Sequence, residues 1–210
     1  MNDYRNEQLT TLNAVLAHLA DIPEAERRRL QDLATDYLDF RRRTADFLQS
    51  HFGGICRREC YESRRSACCS KDGIITFFAD VVVNALLSDA REMEALIQVL
   101  KAPHTDFKCV YLGRQGCLWR LKPIVCEMFL CDSAKAEAFS RSPGAKEKWR
   151  RLRNEKKGFT WPDRPVLFDA LERYFIDRGC DSPLMYLHQS PGLLRIKQQA
   201  AAKGNIDHER

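Results

Sequence analysis

The sequence lacks a long apolar run. Its longest apolar stretch, residues 74–87, is interrupted by Asp80 and Asn84, so it falls short of the roughly 18 residues that a membrane-spanning helix needs. Residues 1–8 are polar and carry both signs of charge, unlike the apolar segment of a secretory signal. We therefore expect a soluble, cytoplasmic protein with no membrane contact.

Familiar catalytic motifs are also missing. The chain has no glycine-rich phosphate loop, no Gly-x-Ser-x-Gly elbow and no His-Glu-x-x-His pair, which are the patterns of several large enzyme classes. Its acidic residues are scattered over amphipathic helical patterns rather than clustered. The sequence leaves open whether the protein is an enzyme.

The charge balance gives little support for nucleic-acid binding. The net charge is +5 over 210 residues. Residues 146–157 form the single basic segment, with seven basic and two acidic residues around Trp149. We interpret this segment, like the arginine triplets at 27–29 and 41–43, as a solvated helix face, and do not expect a nucleic-acid partner.

Cysteine is the residue that the chain has in excess. Of its nine cysteines, eight lie between Cys56 and Cys131, and Cys180 stands apart. The odd total and the tight clustering argue against a disulfide framework, and thiols stay reduced in the cytoplasm. Metal ligation explains the clustering better. We interpret Cys180 as a packed thiol.

Helical periodicity dominates the first half of the chain. Apolar residues recur every three or four positions at 9–19 and at 30–47, which predicts two helices. A capping box at Asp21 and Glu24 is expected to separate them, and Gly53-Gly54 to end the second. We expect these helices to pack on their own domain rather than to form a dimeric coiled coil.

The patterns in the rest of the chain predict a mainly α fold with one small β-hairpin beside the cysteine-rich region. Residues 52–73 are predicted to be irregular, 78–100 and 125–139 to be helices, and 107–123 to be a short hairpin. Two further helices are expected, one from Trp161 and one near residues 192–202. The predicted organisation is a helical hairpin (1–52), a cysteine-cluster metal domain (53–140) and a helical extension on the same core (141–210).

The predicted ligands fall into two blocks that the helix at 78–100 separates. Four thiolates complete a tetrahedral zinc site or hold an iron–sulfur cubane, so eight cysteines supply two centres, or one centre with spare thiols. The adjacent pair favours two metal atoms or a larger cluster, because neighbouring side chains point in different directions. The candidate ligands are Cys56, Cys60, Cys68, Cys69, Cys109, Cys117, Cys126 and Cys131.

The order of these residues resembles a known family. An early block ends in a Cys-Cys pair, and a later block holds a Gly-Cys, an aromatic residue, a basic-Pro pair and a final cysteine. The matching positions are Cys56, Cys60, Cys68, Cys69, Cys109, Leu112, Gly116, Cys117, Trp119, Lys122, Pro123 and Cys126. In these residues the chain resembles the YkgJ-type cysteine-cluster family, a zinc- or iron-chelating domain. The first-block spacings are longer than the family's, and Lys122 replaces its usual arginine.

Three functions follow as hypotheses. The first is an iron–sulfur protein that transfers electrons or supports a redox enzyme, together with a protein partner. The second is a structural zinc module in an interaction protein. The third, which the resemblance implies through one branch of the family, is a modifying enzyme related to flagellin lysine methylase.

Residues near the blocks have predicted supporting roles. Arg120 and Lys122 are candidates to offset the charge of the thiolates. Tyr111 and Trp119 are predicted to be core aromatics that shield the site. His51 and His104 flank the two blocks, but we expect them to be structural or solvated rather than ligands.

Overall fold

The computed structural model describes residues 3–63, 69, 75–103, 108–160 and 166–185. The described residues form a mainly helical fold with one two-stranded antiparallel hairpin, which confirms the predicted fold class. The elements are α1 (Asp3–Asp21), α2 (Glu24–Leu33), α3 (Thr35–Cys56), a π-helical turn (Arg57–Glu62), α4 (Phe78–Leu87), α5 (Ala90–Lys101), β1 (Leu112–Gly113), β2 (Gly116–Cys117), α6 (Ile124–Glu127), α7 (Asp132–Arg141), α8 (Pro143–Thr160) and α9 (Leu167–Ile176).

The N-terminal helices bury the apolar stripe that the sequence predicts. Leu12 and Phe40 are fully buried, and α1 packs against α4 and α5. The predicted second helix is divided at Ala34 into α2 and α3. The predicted capping box is wrong, because Pro23 is the N-cap of α2 and no side chain caps it.

The helix α3 does not end at Gly53-Gly54 as predicted. It continues to Cys56 and then widens into the π-helical turn. The prediction of irregular backbone is therefore wrong for residues 52–62. The two glycines stay inside the helix, because neither has the positive φ that ends a helix at a glycine.

The predicted helix at 78–100 is two helices, α4 and α5. Ser88 is extended, and Asp89 starts α5 as its N-cap. The Asp89 carboxylate accepts a hydrogen bond from the amide of Glu92 at 2.9 Å, and the Glu92 carboxylate accepts one from the amide of Asp89 at 2.9 Å. This capping box satisfies two amides that would otherwise have no helical partner.

We expect Asp89→Ala to lower the free energy of unfolding by about 1 kcal/mol, because it removes the cap of α5. Chemical denaturation measures the change. The matched control is Asp36→Ala, which removes an exposed first-turn carboxylate of α3 that is not its N-cap. An equal loss in both variants would contradict the assigned capping role.

The second half of the chain contains shorter elements than predicted. The hairpin has two residues in each strand, with Leu112 paired to Cys117 and Gly113 to Gly116. The predicted helix at 125–139 is divided into α6 and α7, because Cys131 is extended and becomes the N-cap of α7. As a result, Cys126 lies on α6, a helix of a single turn.

The helices α8 and α9 complete the core. Trp149 and Leu152 of α8, with Phe168 and Phe175 of α9, are buried, and α9 packs against α4 and α8. The predicted start of α9 at Trp161 and the predicted last helix lie outside the described residues. No helix within the described ranges is long and apolar enough to cross a membrane.

Candidate metal centre

The hairpin places two cysteines of the second block close together. Cys117 ends β2, and Cys109 lies three residues before β1, where its carbonyl accepts a hydrogen bond from the amide of Leu112 at 3.0 Å. Gly116 has a φ of 118°, which glycine adopts without steric cost. The turn therefore reverses the chain immediately before Cys117.

The backbone amide two residues later faces each of these thiols. The amide of Tyr111 faces the sulfur of Cys109, and the amide of Trp119 faces that of Cys117. Such amides lower the pKa of a thiol, because they stabilise the thiolate. The amides therefore offset part of the larger effect of burial, which raises the pKa of both thiols.

Burial opposes these amides. It raises the pKa of Cys109 to about 11 and also raises the pKa of Cys117. The nearby charge of Lys122 lowers the pKa of Cys117, as expected for a residue that offsets thiolate charge. The two cysteines are reduced thiols in this structure, and a bound cation would be needed to hold them both as thiolates.

Cys126 and Cys69 lie beside this pair. The charges of Cys117 and Cys126 raise the pKa of Cys109, so the three sulfurs are within electrostatic reach of one another. The amide of Cys109 donates a hydrogen bond of 2.8 Å to the carbonyl of Cys69. The end of the first block therefore meets the start of the second, across 40 residues of sequence.

Three buried polar side chains hold the segment 121–124, between Cys117 and Cys126. We call Arg41, Asp80 and Asn84 the polar clamp. The amide of Leu121 donates to Oδ1 of Asn84 at 2.9 Å, Nη2 of Arg41 donates to the carbonyl of Lys122 at 2.6 Å, and the amide of Ile124 donates to Oδ1 of Asp80 at 3.0 Å.

The polar clamp ties the start of α6 to α3 and α4. Arg41 is 3% exposed, Asp80 4% and Asn84 0%, so these hydrogen bonds are shielded from water and are costly to break. The prediction that Arg41 lies on a solvated helix face is therefore wrong. The clamp fixes the chain two residues before Cys126.

Sequence reasoning missed the polar clamp. The available signal was the presence of Asp80 and Asn84 inside the most apolar stretch of the chain, where each interrupts a buried helix face. A buried polar side chain requires a hydrogen-bond partner. Here the partners are backbone groups of residues 121–124, and no local pattern points to them.

The remaining predicted ligands lie on other elements. Cys56 ends α3, and Cys60 lies in the π-helical turn. Cys131 is the N-cap residue of α7, although its side chain does not cap the helix; its sulfur lies 3.3 Å from Oγ of Ser133. Cys68 lies outside the described residues. Among the described residues, no group of three or more His, Cys, Asp or Glu side chains has the arrangement of a metal site. The full set of eight ligands stays a prediction.

The other residues near the blocks have structural partners. His51 packs against Phe47 with ring centroids 4.7 Å apart, and His104 lies outside the described residues. Arg120 pairs with Glu92 at 3.2 Å. Cys180 is half-buried, with its sulfur 3.7 Å from Nδ1 of His18.

Tyr111 and Trp119 are buried and meet edge to face, with ring centroids 5.3 Å apart, as expected for core aromatics. The indole N–H of Trp119 is buried with no hydrogen-bond partner among the described residues. This N–H is an unsatisfied donor two residues from Cys117.

The chemistry of these side chains, although not their arrangement in this structure, is that of a thiolate-bound metal group. Cys69, Cys109, Cys117 and Cys126 supply four sulfurs, and backbone amides face two of them. The unsatisfied indole and the charge of Lys122 favour negative charge close by. The four residues therefore have the chemistry that zinc or an iron–sulfur cluster requires.

Comparison with known proteins adds no identification. No family model matches the chain, and no curated protein or solved structure shows significant similarity to it.

Proposed function

We propose that this chain is a metalloprotein in which Cys69, Cys109, Cys117 and Cys126 hold one metal centre. The observation that carries the proposal is that the fold brings the two cysteine blocks together: the amide of Cys109 donates to the carbonyl of Cys69 at 2.8 Å, and Cys117 and Cys126 lie within electrostatic reach of Cys109. Backbone amides that face the sulfurs of Cys109 and Cys117 lower the cost of holding negative charge there. The resemblance of the second block to the YkgJ-type family supports the same residues.

We infer that the centre is an iron–sulfur cluster. Such a cluster supplies one-electron transfer when bound. All four cysteines are half-buried, which keeps the sulfurs near the surface, where a partner protein can approach. Tyr111 and Trp119 close the inner side of the hairpin and exclude water from it.

A structural zinc site is the second candidate, and the polar clamp favours it. The clamp holds the α6 segment rigidly against α3 and α4, and a tetrahedral ion would further tie the hairpin to Cys126 and Cys69. Four thiolates complete such a site with no open position. In that case the metal would stabilise the fold.

Metal analysis on protein purified without oxygen tests both candidates. Iron with matching acid-labile sulfide and a brown chromophore is the expected result, and it supports electron transfer. Stoichiometric zinc without colour would instead establish the structural site. If neither metal is bound in stoichiometric amount, the proposal is overturned.

A further inference from the structure

A groove runs along α8 and reaches α6, the helix that carries Cys126. Its larger part has a volume of about 810 Å³, and it continues into a second part of about 300 Å³ beside α6. Lys135, Trp149 and Arg153 line both parts. The larger volume is within the range of sites for small organic ligands. None of the lining residues is a cysteine.

The groove is strongly cationic. Its basic residues are Lys135, Lys146, Arg150, Arg153, Lys156 and Lys157. Among the described residues Glu147 is the one acidic residue that lines it, and it pairs with Arg150 at 2.9 Å. Lys135 pairs with Asp132 at 2.6 Å. Within the described part of the chain, no carboxylate forms an ion pair with the other four cations.

Lys156 lies half-buried in this groove. Burial lowers its pKa, and the neighbouring charges of Arg153 and Lys157 lower it further, while that of Asp80 raises it. Two cations close to a half-buried ammonium outnumber the one carboxylate that acts on it, which leaves an excess of positive charge. The charges of the groove therefore favour a ligand that carries more than one negative charge.

The walls of the groove are apolar and aromatic. They are formed by Val125, Met128, Phe129, Leu130, Phe139 and Trp149. Phe129 is 53% exposed although it is a large apolar side chain. Exposed apolar area beside a cationic groove is typical of a site that binds an organic group together with its charge.

We propose that this groove binds an organic phosphate, with the phosphates on Arg153, Lys156 and Lys157 and the organic group against Phe129 and Trp149. Arginine and lysine are the side chains that recognise phosphate oxygens. The chain's own residues 191–203 are a poor occupant, because they carry three basic residues and no acidic one. The inference does not depend on the metal centre, since only non-cysteine residues line the groove.

Calorimetric titration of the full-length protein with ADP, coenzyme A and FMN tests the proposal. We expect at least one of the three to bind more tightly than about 1 mM. Pyrophosphate tests the cationic part of the groove alone, and adenosine tests the apolar part alone. We expect each of them to bind about tenfold or more weakly than the tightest of the three organic phosphates. If none of the three binds, or if pyrophosphate binds equally well, the proposal is overturned.

Matched charge reversals on α8 locate the site. Arg153→Glu changes a residue in the groove, and Lys148→Glu makes the same change of charge at an exposed position of the same helix that does not line it. We expect Arg153→Glu to weaken binding about tenfold or more and Lys148→Glu to leave it nearly unchanged. Equal effects of Arg153→Glu and Lys148→Glu would show a general response to net charge and would refute the groove as the site. Circular dichroism confirms that both variants fold.

Discussion

Replacing Cys117 with serine is expected to remove the metal centre. Cys117 is one of the four proposed ligands: the amide of Trp119 faces its sulfur, which lies within electrostatic reach of Cys109. Serine supplies a hydroxyl that does not ionise at neutral pH and binds soft metals poorly. Loss of a residue that only hydrogen-bonds to a metal ligand lowers metal affinity ~10–100-fold. Because Cys117 is itself a proposed ligand, we expect a larger decrease.

The control for this experiment is Cys180→Ser. Cys180 lies beside His18, at a distance in sequence from either block, so its replacement should leave metal content unchanged. Metal content per chain is measured for both variants, with acid-labile sulfide for the iron case. Full retention of metal by Cys117→Ser would contradict the proposed ligand set.

The same comparison separates one centre from two. Cys60→Ser and Cys131→Ser change predicted ligands that lie on the π-helical turn and at the start of α7. If one centre uses Cys69, Cys109, Cys117 and Cys126, both variants should keep their full metal content. Loss of part of the metal in either variant would instead indicate a second centre.

The helical class was predictable because the core is built on helical periodicity. Leu12, Phe40, Leu96 and Phe175 are all buried where the spacing places them. The breaks inside the helices were harder to predict. The apolar pattern at 78–100 continues across Ser88 and Asp89, since α4 and α5 both face the same core. The capping box of Asp89 and Glu92 was present in the sequence, but periodicity gave no sign that the chain turns there.

The clustering of cysteines was visible in the sequence, but the contacts between them were not. The clustering predicts metal ligation. The contact between Cys69 and Cys109 and the bond from Arg41 to the carbonyl of Lys122 join residues 40 and 81 positions apart. Contacts of this kind depend on how helices pack. Arg41 belongs to an arginine triplet that is typical of a solvated face, and its burial follows from partners that only the fold supplies.

Asp80→Ala is expected to weaken both the fold and the metal centre. The Asp80 carboxylate accepts the amides of Phe77 at 3.1 Å and Ile124 at 3.0 Å, and both bonds are shielded from bulk water. Its loss leaves two amides without their acceptor and leaves the buried Arg41 without a nearby negative charge. We expect a decrease of about 3 kcal/mol in the free energy of unfolding. Metal affinity should fall about 10–100-fold, because the segment before Cys126 loses its anchor.

The pH dependence of this loss identifies its cause. Burial raises the pKa of Asp80 to about 6, against the opposing effects of Arg41 and the two amides. The folded protein therefore binds this proton more tightly than the unfolded chain does, so the stability that Asp80 contributes is greatest at low pH and falls as the pH rises through about 6. The difference in unfolding free energy between wild type and Asp80→Ala should be larger at pH 5 than at pH 7.5. Asp36→Ala, which removes an exposed carboxylate, is the control. A difference that instead grows with pH would show that Arg41 and the amides outweigh burial, and that Asp80 acts as a stabilised carboxylate in the clamp.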